Sequence, residues 1–332
     1  MPLILRRTTR RHLLQVSTQA TMALGLLLSP LTGSAQTPPL VAFTAIVEHP
    51  ALDDVRKGAI EELGRLGFTD GQSLRTSFDS AQGQPTTAAQ IATRLVGQKP
   101  AVIVAISTPS AQTVLAATRT IPIVFSAVTD PVAAKLVKDP GRPGGNITGV
   151  TDMAPVAAQV ALARELVPSL KRLGVIYNPG ETNAQALVAI LRQVAKDANL
   201  TLVESAANRT ADLTAAAERL IGKVDALYLP TDNVVASGLE AVIAVARSHR
   251  IPTIGDAAYV ERGVLIGTGF NYRELGTLTG RLIADILKGR QPGEIPVAAS
   301  QNVDSVLNLK EARAIGLTVP AALVSRAKSK IE

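Results

Sequence analysis

The most constraining feature of this 332-residue sequence is a regular alternation of continuous apolar runs with helical repeats. From Leu40 onward, the apolar runs LVAFTAIV, AVIVAI and IPIVFSAV are separated by segments such as ALDDVRKGAIEELGRLG. In that segment the apolar residues recur every three or four positions, which is the spacing of one face of a helix. Strands that are apolar throughout are typical of a parallel sheet covered by helices on both faces. The sequence therefore predicts an α/β fold.

The second half of the chain repeats the order of the first half. The stretch IVEHPALDDVRKGAIEELGRLG parallels IYNPGETNAQALVAILRQVAKDA, and VAISTPSAQTVLAATRTIPIVF parallels LYLPTDNVVASGLEAVIAVARSHRIPTIG. We interpret this as an internal duplication of a βαβ unit. It predicts two Rossmann-like lobes with parallel sheets, joined by hinge crossovers and separated by a cleft. One lobe would hold residues 39–150 and 271–300, and the other residues 151–270 and 301–332.

The first 35 residues have the pattern of an export signal. An apolar stretch from Met22 to Leu31, too short to span a membrane, precedes Gly33-Ser34-Ala35, a small-residue cleavage site. Four arginines stand before it: Arg6, Arg7, Arg10 and Arg11. The sequence TTRRHLLQ resembles a twin-arginine signal, Sec export is the alternative route, and an unprocessed amphipathic N-terminus is the competing interpretation. We expect a periplasmic protein without a lipoprotein anchor, because the chain has no cysteine.

The composition disfavours several classes of function. The chain has no cysteine and three histidines, which excludes disulfides, thiolate zinc sites and histidine-rich metal sites. Removing the signal with its four arginines leaves 30 basic and 27 acidic residues. This near balance, together with the absence of tryptophan, argues against nucleic acid as a partner. The sequence GTGFNY lacks the third glycine of a dinucleotide loop. We expect no cofactor and no metal, and a monomer.

Small polar residues follow the predicted strands in both halves. Ligands of open α/β sheets bind beyond the carboxyl ends of the strands, so two facing lobes would bring these residues together at the cleft. We therefore predict a ligand-binding site. Its residues are His49, Ser107, Thr108, Ser110 and Asp130 from the first half, with Tyr177, Asn178, Asn183, Asp232, Asn233, Asp256 and Phe270 from the second.

Several of these residues have a simpler interpretation. Ser, Thr, Asp and Asn are favoured helix N-caps, and Ser110, Asn183 and Asn233 stand near the beginnings of predicted helices. Capping needs one such residue per helix, whereas here they occur in clusters, and a helix N-terminus also offers N–H groups to an anion. His49 could act as a general base, but the sequence offers no serine or cysteine partner for it. We therefore expect a binding protein and not an enzyme.

A set of ordered motifs carries a resemblance to a known family. They are EHPALDDVRKG, STPSAQ, IPIVFSAVTDPV, PGGNITGVTD, YNPGETN, LPTDNVVASGLEAV and LNLKEARAIGLTVP. From Val41 to Pro320 the chain resembles the ABC-transporter substrate-binding proteins whose better-known members bind aromatic amino acids such as tryptophan or tyrosine. The resemblance implies a type I periplasmic-binding fold, capture of a small ligand by lobe closure, and delivery to an ABC permease of the inner membrane.

The resemblance also assigns residues to the two walls of the site. Thr108 and Ser110 fall on the wall of the first lobe. Four residues fall on the wall of the second lobe: Asn178, Asn183, Asp232 and Asn233. Two departures touch the pocket. The family usually has Gly-Thr-Pro-Ala-Ala where this chain has Ser107-Thr108-Pro109-Ser110-Ala111, and a serine where Ala184 stands here.

We expect the ligand to be an amino acid or a similar small amphipathic molecule. Ser110 would hold a carboxylate at a helix N-terminus, and Asp232 would hold an ammonium group from the opposite lobe. An apolar side chain would then lie against Tyr177 or Phe270. The alternatives are a ligand-sensing partner of a membrane receptor, an enzyme on the same scaffold, or the effector domain of a DNA-binding regulator. The last would need a helix-turn-helix where the export signal stands.

Overall fold

The computed structural model describes residues 37–332, so the predicted export signal at residues 1–35 lies outside the described residues. The strands of the described chain are β1 Leu40–Ala45, β2 Arg75–Ser80, β3 Val102–Ile106, β4 Ile123–Val128, β5 Ile147–Thr151, β6 Arg172–Tyr177, β7 Thr201–Ala206, β8 Ala226–Leu229, β9 Thr253–Gly255, β10 Ile266–Phe270, β11 Ala298–Ala299, β12 Val303–Asn308 and β13 Ser329–Ile331.

The helices alternate with these strands as the sequence periodicity predicts. They are α1 Pro50–Arg65, α2 Pro85–Gln98, α3 Thr108–Ala117, α4 Val156–Leu166, α5 Thr182–Asp197, α6 Leu213–Glu218, α7 Asn233–Ser237, α8 Leu239–Ser248, α9 Tyr272–Leu287, α10 Leu309–Ala314 and α11 Ala321–Arg326. Three 3-10 turns complete the set: Thr210–Asp212, Ala257–Arg262 and Pro292–Glu294.

The strands form two sheets. The first has the order β11-β5-β4-β3-β1-β2, and the second has the order β13-β12-β10-β9-β8-β6-β7. Neighbouring strands run parallel, as in the pairs β1–β3 and β6–β8, except that β12 runs antiparallel to β10. The predicted α/β fold with two sheets dominated by parallel strands is confirmed. The direction of β12 was not predicted, because a strand's own sequence does not encode its direction in a sheet.

The chain passes between the two sheets three times: after β5, after β10 and after β11. We call the first sheet with α1–α3 and α9 the first lobe, and the second sheet with α4–α8, α10 and α11 the second lobe. The proposal that these lobes are separate domains with the predicted boundaries stays a prediction.

Both sheets are covered by apolar side chains on their two faces, as the continuous apolar strands predict. On β3, all five residues are buried, and the adjacent residues Ile103 and Val104 belong to different core clusters. On β8, Leu227 and Tyr228 divide in the same way between the two cores of the second lobe. Successive side chains of a strand point to opposite faces, so each sheet separates two hydrophobic layers.

Glycines let α9 pack against the backbone of α1. A Cβ atom on Gly276 would lie 2.3 Å from the carbonyl oxygen of Val55, and one on Gly58 would lie 2.3 Å from that of Arg273. Such contacts are too short for any side chain, so both helices depend on glycine here. The chain enters α9 directly after its second passage between the sheets, and this packing attaches α9 to the first lobe.

One predicted helix is divided in the structure. The pattern from Val234 to Arg247 predicts a single helix, whereas α7 ends at Ser237 and α8 begins at Leu239. Gly238 separates them, and a Cβ atom there would lie 2.6 Å from Leu213 Cδ1. The prediction of one continuous helix is therefore wrong, because tertiary packing against α6 overrides the local periodicity.

Candidate ligand-binding site

A small polar cavity lies between the two lobes, at the carboxyl ends of their strands. We call it the interlobe cavity. Its volume is about 20 Å³. From the first lobe it is lined by His49, Leu52, Ser107, Thr108, Ala127 and Thr129. From the second lobe it is lined by Asn183, Thr231, Asp232, Asn233 and Tyr259. Asp152 and Tyr272, at the crossovers, complete it.

Buried polar atoms without partners are concentrated in this cavity. Within residues 37–332, six buried side-chain nitrogen or oxygen atoms have no hydrogen-bond partner, and four belong to cavity residues. These four are His49 Nδ1, Thr108 Oγ1, Asn183 Oδ1 and Thr231 Oγ1. Two come from each lobe. Buried polar groups in native proteins are almost always hydrogen-bonded, so this concentration indicates a place where a polar molecule supplies the missing partners.

Ser107 takes a backbone conformation that glycine adopts far more readily. Its φ is 83° and its ψ is 156°, in the sharp turn between β3 and α3. Holding a non-glycine residue there costs about 1–3 kcal/mol. The turn places Thr108 at the first position of α3, where the first N–H groups of the helix lack intrahelical partners. The free Thr108 hydroxyl and these N–H groups together suit an anion.

His49 precedes α1 and is buried, at 9% exposure. Burial and, next, the positive charge of Arg262 lower the pKa of His49 to about 3, while hydrogen bonding with Asn233 opposes the shift. The imidazole is therefore neutral at neutral pH, with one nitrogen donating and the other accepting. A general base works best with a pKa near the operating pH, so His49 suits neutral hydrogen bonding better than proton transfer.

Asp232 contributes a carboxyl group from the second lobe. It caps α7 by accepting the Val235 N–H at Oδ1 (2.9 Å), and its Oδ2 accepts the Asn178 N–H at 2.6 Å. Burial and, next, the charge of Glu181 raise the pKa of Asp232 to about 8. The prediction of a freely available ionised carboxylate was incomplete, because this group already ties the end of β8 to the end of β6. A carboxylate has about four acceptor sites in all, so Asp232 retains acceptor capacity for a ligand.

Glu181 holds the two cavity asparagines in place. Its Oε2 accepts from Asn233 Nδ2 at 2.5 Å and from Asn183 Nδ2 at 3.2 Å. Asn183 Nδ2 also donates to the carbonyl oxygen of Thr231 at 3.1 Å. The amide nitrogen of Asn183 is thus committed to the protein, which leaves its oxygen as an acceptor in the cavity.

A second carboxyl group enters the cavity from the first crossover. Asp152 accepts the hydroxyl of Tyr272 at Oδ2 (3.1 Å) and the hydroxyl of Thr129 at Oδ1 (3.3 Å). Burial raises the pKa of Asp152 to about 6, and these hydrogen bonds oppose the shift. The cavity therefore contains two carboxyl groups, Asp152 and Asp232, whose ionised forms would be stabilised by a positive charge placed beside them.

The structure brings six of the twelve predicted site residues to the interlobe cavity and places six elsewhere. Those at the cavity are His49, Ser107, Thr108, Asn183, Asp232 and Asn233. Three of the others brace nearby turns. Ser110 lies behind Ser107, with the two hydroxyl oxygens 3.4 Å apart. Asp130 accepts the N–H groups of Val132 and Ala133, and Asp256 caps the 3-10 turn that begins at Ala257.

The remaining three predicted residues are also committed to other contacts. The Tyr177 hydroxyl donates to Glu204 Oε2 at 2.9 Å, on the outer edge of the second sheet. Phe270 packs against the core of the first lobe. Asn178 accepts the Gly180 N–H at 2.9 Å and lines a neighbouring groove. Neither Tyr177 nor Phe270 lines the interlobe cavity, where Tyr259 and Tyr272 provide the aromatic surface, so the contact of an apolar ligand group with Tyr177 or Phe270 stays a prediction.

Sequence reasoning missed several cavity residues. Thr129 and Thr231 stand in the same polar tripeptides as Asp130 and Asp232, so their signal was present. Asp152 directly follows β5 and could have been found by the same rule. Tyr259 lies in the 3-10 turn after β9, and Tyr272 is the second residue after β10, so both follow strand ends. They were missed because the rule selected small polar residues and not aromatic ones.

A larger groove adjoins the cavity, and we call it the outer groove. Its volume is about 610 Å³, and Asn233 lines both spaces. Its walls include Gln82–Pro85 and Gln112 of the first lobe and Asn208–Ala211 of the second. Across residues 37–332, no group of three or more His, Cys, Asp or Glu residues could hold a metal ion. Within the same range no helix combines the length and hydropathy needed to cross a membrane.

The fold belongs to a defined class. Residues 40–331 match the ABC transporter substrate binding protein family, and the chain belongs to that family. The resemblance seen in the motifs is thereby confirmed.

Its relatives include a tyrosine-binding protein of Clostridioides difficile (strain R20291), with 37% identity over 278 residues, covering 83% of this chain and 81% of that protein. A conserved domain protein from Vibrio cholerae is 43% identical and superposes with a TM-score of 0.87 over 88% of this chain and 99% of that one.

Two further solved structures differ in how well they superpose on this one. An ABC domain from Streptococcus pneumoniae in complex with L-Trp is 33% identical, with a TM-score of 0.86 over 89% of this chain and 100% of that one. A ligand-free, open substrate binding protein with adhesive properties from Clostridium difficile is 37% identical, yet its TM-score is 0.67 over 89% of this chain and 99% of that one. The structure thus superposes better on the L-Trp complex than on the ligand-free, open structure, although the second is the more similar in sequence.

Proposed function

We propose that this protein captures an amino acid, with an aromatic side chain as the favoured class, in the interlobe cavity and delivers it to an ABC permease for import. The observation that carries the proposal is the set of four partnerless buried atoms, two from each lobe, that converge on the cavity of the described chain. Relatives named for tyrosine binding and solved with L-Trp support the ligand class.

The ligand carboxylate is assigned to the wall of the first lobe. Thr108 offers a hydroxyl, and the N-terminus of α3 offers backbone N–H groups beside it. Hydrogen bonds from such donors to a charged oxygen are shorter and stronger than those between neutral groups. We assign the carboxylate to Thr108 and not to Ser110, because the Ser110 hydroxyl faces that of Ser107, with the two oxygens 3.4 Å apart.

The ligand ammonium is assigned to the acceptors of the second lobe and the first crossover. Asn183 Oδ1 is an uncommitted acceptor within the described chain, and Asp232 and Asp152 supply negative charge. An ammonium group has three donors and no acceptor, which fits three acceptor side chains. Its charge would favour the ionised forms of both carboxyl groups, whose pKa values burial raises in this structure.

The apolar part of the ligand is assigned to Tyr259, Tyr272 and Leu52. Aromatic rings pack well against one another in offset or edge-to-face arrangements, which would favour tyrosine or tryptophan over short side chains. The cavity of about 20 Å³ is smaller than such a side chain requires, so the side chains that line it must rearrange to admit the ligand.

Capture would proceed by closure of the lobes. Only the closed form brings Thr108 of the first lobe and Asp232 of the second to the same molecule, so a ligand that touches both favours that form. The predicted export signal and family membership support action outside the inner membrane, with the permease as the partner that receives the ligand.

The test is isothermal titration of protein that has been unfolded, dialysed and refolded to remove any co-purified ligand. L-Tyrosine and L-tryptophan are expected to bind with one-to-one stoichiometry. Two analogues of tyrosine separate its ends: tyramine lacks the carboxylate, and 3-(4-hydroxyphenyl)propionate lacks the ammonium. Each should bind at least tenfold more weakly, because a lost charged hydrogen-bond partner in a closed site costs about 2–5 kcal/mol. Equal binding of the propionate would exclude an ammonium site.

A further inference from the structure

One side-chain hydrogen bond crosses between the lobes outside the interlobe cavity. Gln112, on α3, donates from Nε2 to the hydroxyl oxygen of Thr182 at 3.3 Å. Thr182 is the first residue of α5, and α3 and α5 contact each other across the cleft. Gln112 also lines the outer groove, whereas Thr182 lies outside the residues that line either space.

The Gln112 amide is held ready for this contact by the first lobe. Its Nε2 also donates to the carbonyl oxygen of Ala134 at 3.2 Å. A carbonyl oxygen only accepts, so this bond fixes the nitrogen, and not the amide oxygen, on the side that faces Thr182. The turn that carries Ala134 is itself braced by Asp130, which accepts the N–H group of Ala133 at 2.9 Å. Because the donor is already oriented, closure orders little additional side-chain freedom.

The bond connects the two walls of the ligand site by short, rigid routes. On α3, Gln112 lies four residues after Thr108, so both side chains lie on the same face of that helix. On α5, Thr182 directly precedes Asn183, whose free oxygen faces the cavity. A contact between Gln112 and Thr182 therefore fixes the spacing between the two helix N-termini that present ligand-binding groups.

We propose that Gln112 is a positioning residue that latches the lobes in the closed arrangement through Thr182, and so raises ligand affinity without touching the ligand. This inference rests on the proposed capture of a ligand by closure. The apparent affinity of a protein for its ligand falls with the fraction that occupies the binding-competent state. A bond present only in the closed form raises that fraction, and it slows opening of the liganded protein.

The expected size of the effect is modest and measurable. One intramolecular hydrogen bond shifts an equilibrium by about two- to tenfold. Gln112→Met keeps the length of the side chain and removes its donors, and Thr182→Val keeps the shape and removes the acceptor. Each variant should weaken binding of L-tyrosine by about two- to tenfold through faster dissociation. The double variant should bind L-tyrosine no more weakly than either single variant does, because both substitutions remove the same hydrogen bond.

Two controls separate a latch from general damage. Thr182→Ser retains a hydroxyl acceptor and should bind as the wild type does. Thr113→Val alters the next residue of α3, whose hydroxyl donates within the first lobe to the Pro109 carbonyl oxygen at 2.8 Å, and should leave dissociation unchanged. Stopped-flow dissociation of L-tyrosine measures all five variants. If Gln112→Met weakens binding but Thr182→Val does not, Gln112 acts in the outer groove and the latch is excluded.

A distance measurement keeps this inference separate from the identity of the ligand. The chain has no cysteine, so Gln90→Cys on α2 and Lys196→Cys on α5 introduce two exposed sites for spin labels, one on each lobe. Pulsed electron paramagnetic resonance should show a short-distance population that shrinks in Gln112→Met and Thr182→Val, with and without added L-tyrosine. Failure of L-tyrosine to bind would count against the proposed ligand only. Short-distance populations equal to that of the wild type, including the absence of one in all three proteins, would overturn the latch.

Discussion

Replacing Thr108 by valine should move stability and ligand affinity in opposite directions. Thr108 is 1% exposed, and its hydroxyl oxygen has no hydrogen-bond partner within residues 37–332. Valine has nearly the same shape and replaces that hydroxyl with a methyl group. A residue that serves only the fold would lose stability on such a change, whereas a residue kept for a ligand would not.

The stability effect follows from the missing partner. A buried hydroxyl without a hydrogen bond costs about 1–3 kcal/mol in proteins. Valine removes that cost, and it places an apolar group at a cavity that Leu52 and Ala127 also line. Because a water molecule can satisfy part of the hydroxyl's need, we expect the free energy of unfolding without ligand to stay the same or rise by up to about 2 kcal/mol.

The affinity effect has the opposite sign. In the proposed complex the Thr108 hydroxyl donates to the ligand carboxylate, and a hydrogen bond to a charged group contributes about 1.5–3 kcal/mol. Its loss should weaken binding of L-tyrosine by about 10- to 150-fold. Tyramine lacks the carboxylate, so the Thr108→Val variant should bind tyramine as tightly as the wild type does.

Urea unfolding of the ligand-free protein measures the first effect, and isothermal titration measures the second. Thr113→Val is the matched control on the same helix, because it removes a hydroxyl already bonded to Pro109 and should lower stability without changing affinity. If Thr108→Val lowers stability by more than 1 kcal/mol and leaves affinity within twofold of the wild type, the assignment of Thr108 to the ligand is refuted.

Three further predictions concern the same framework. Ser107→Gly releases the backbone strain at φ 83°, whereas Ser107→Ala keeps it, so the glycine variant should have a free energy of unfolding about 1 kcal/mol higher than the alanine variant. A glycine variant that unfolds at lower urea than the alanine variant would contradict this. Gly276→Ala brings a Cβ atom to 2.3 Å from the carbonyl oxygen of Val55 and should lower the free energy of unfolding by about 1–3 kcal/mol. The melting temperature should fall accordingly, and an unchanged melting temperature would show that α9 has room to shift. Burial raises the pKa of Asp152 to about 6 and, with the charge of Glu181, that of Asp232 to about 8, so the folded, ligand-free protein binds these protons more tightly than the unfolded chain. Their stabilising contribution is complete below about pH 4 and is lost as the pH rises through these values, so the urea midpoint should be higher at pH 5.5 than at pH 8, and the reverse order would refute the sign.

The fold could be predicted from the sequence because its signals are local and repeated. Continuous apolar strands such as β3 and amphipathic helices such as α5 are defined by their own residues, and the duplication gives both lobes the same order. The break between α7 and α8 could not be predicted in this way, because it occurs at Gly238, where a Cβ atom would lie 2.6 Å from Leu213, a residue distant in sequence.

The site was predicted as far as strand ends determine it. Thr108 and Asn183 lie in the first turns of α3 and α5, the helices that follow β3 and β6, and both reach the cavity. Tyr177 and Phe270 also end strands, but the first lies toward the edge of its sheet and the second turns to the core of the first lobe. Whether a residue at a strand end faces a cleft depends on the position of that strand in the sheet and on the partner lobe, and a single strand's sequence carries neither.

The second limit on predicting the site was that some of its side chains already have hydrogen-bond partners within the protein. Asp232 was predicted as a free acceptor, whereas it already accepts the N–H groups of Val235 and Asn178. The capping role and the ligand role coincide in one residue, so Asp232→Ala should also destabilise the free protein, and Thr108→Val is the cleaner test of binding.

The most direct test of the central claim is a crystal structure of the refolded, ligand-free protein soaked or co-crystallised with L-tyrosine. The account predicts one tyrosine enclosed between the lobes, its carboxylate within hydrogen-bond distance of Thr108 and its ammonium beside Asp232 and Asn183. A tyrosine held wholly in the outer groove, or one whose ammonium faces α3 while its carboxylate faces Asp232, would contradict the assignment of the two walls.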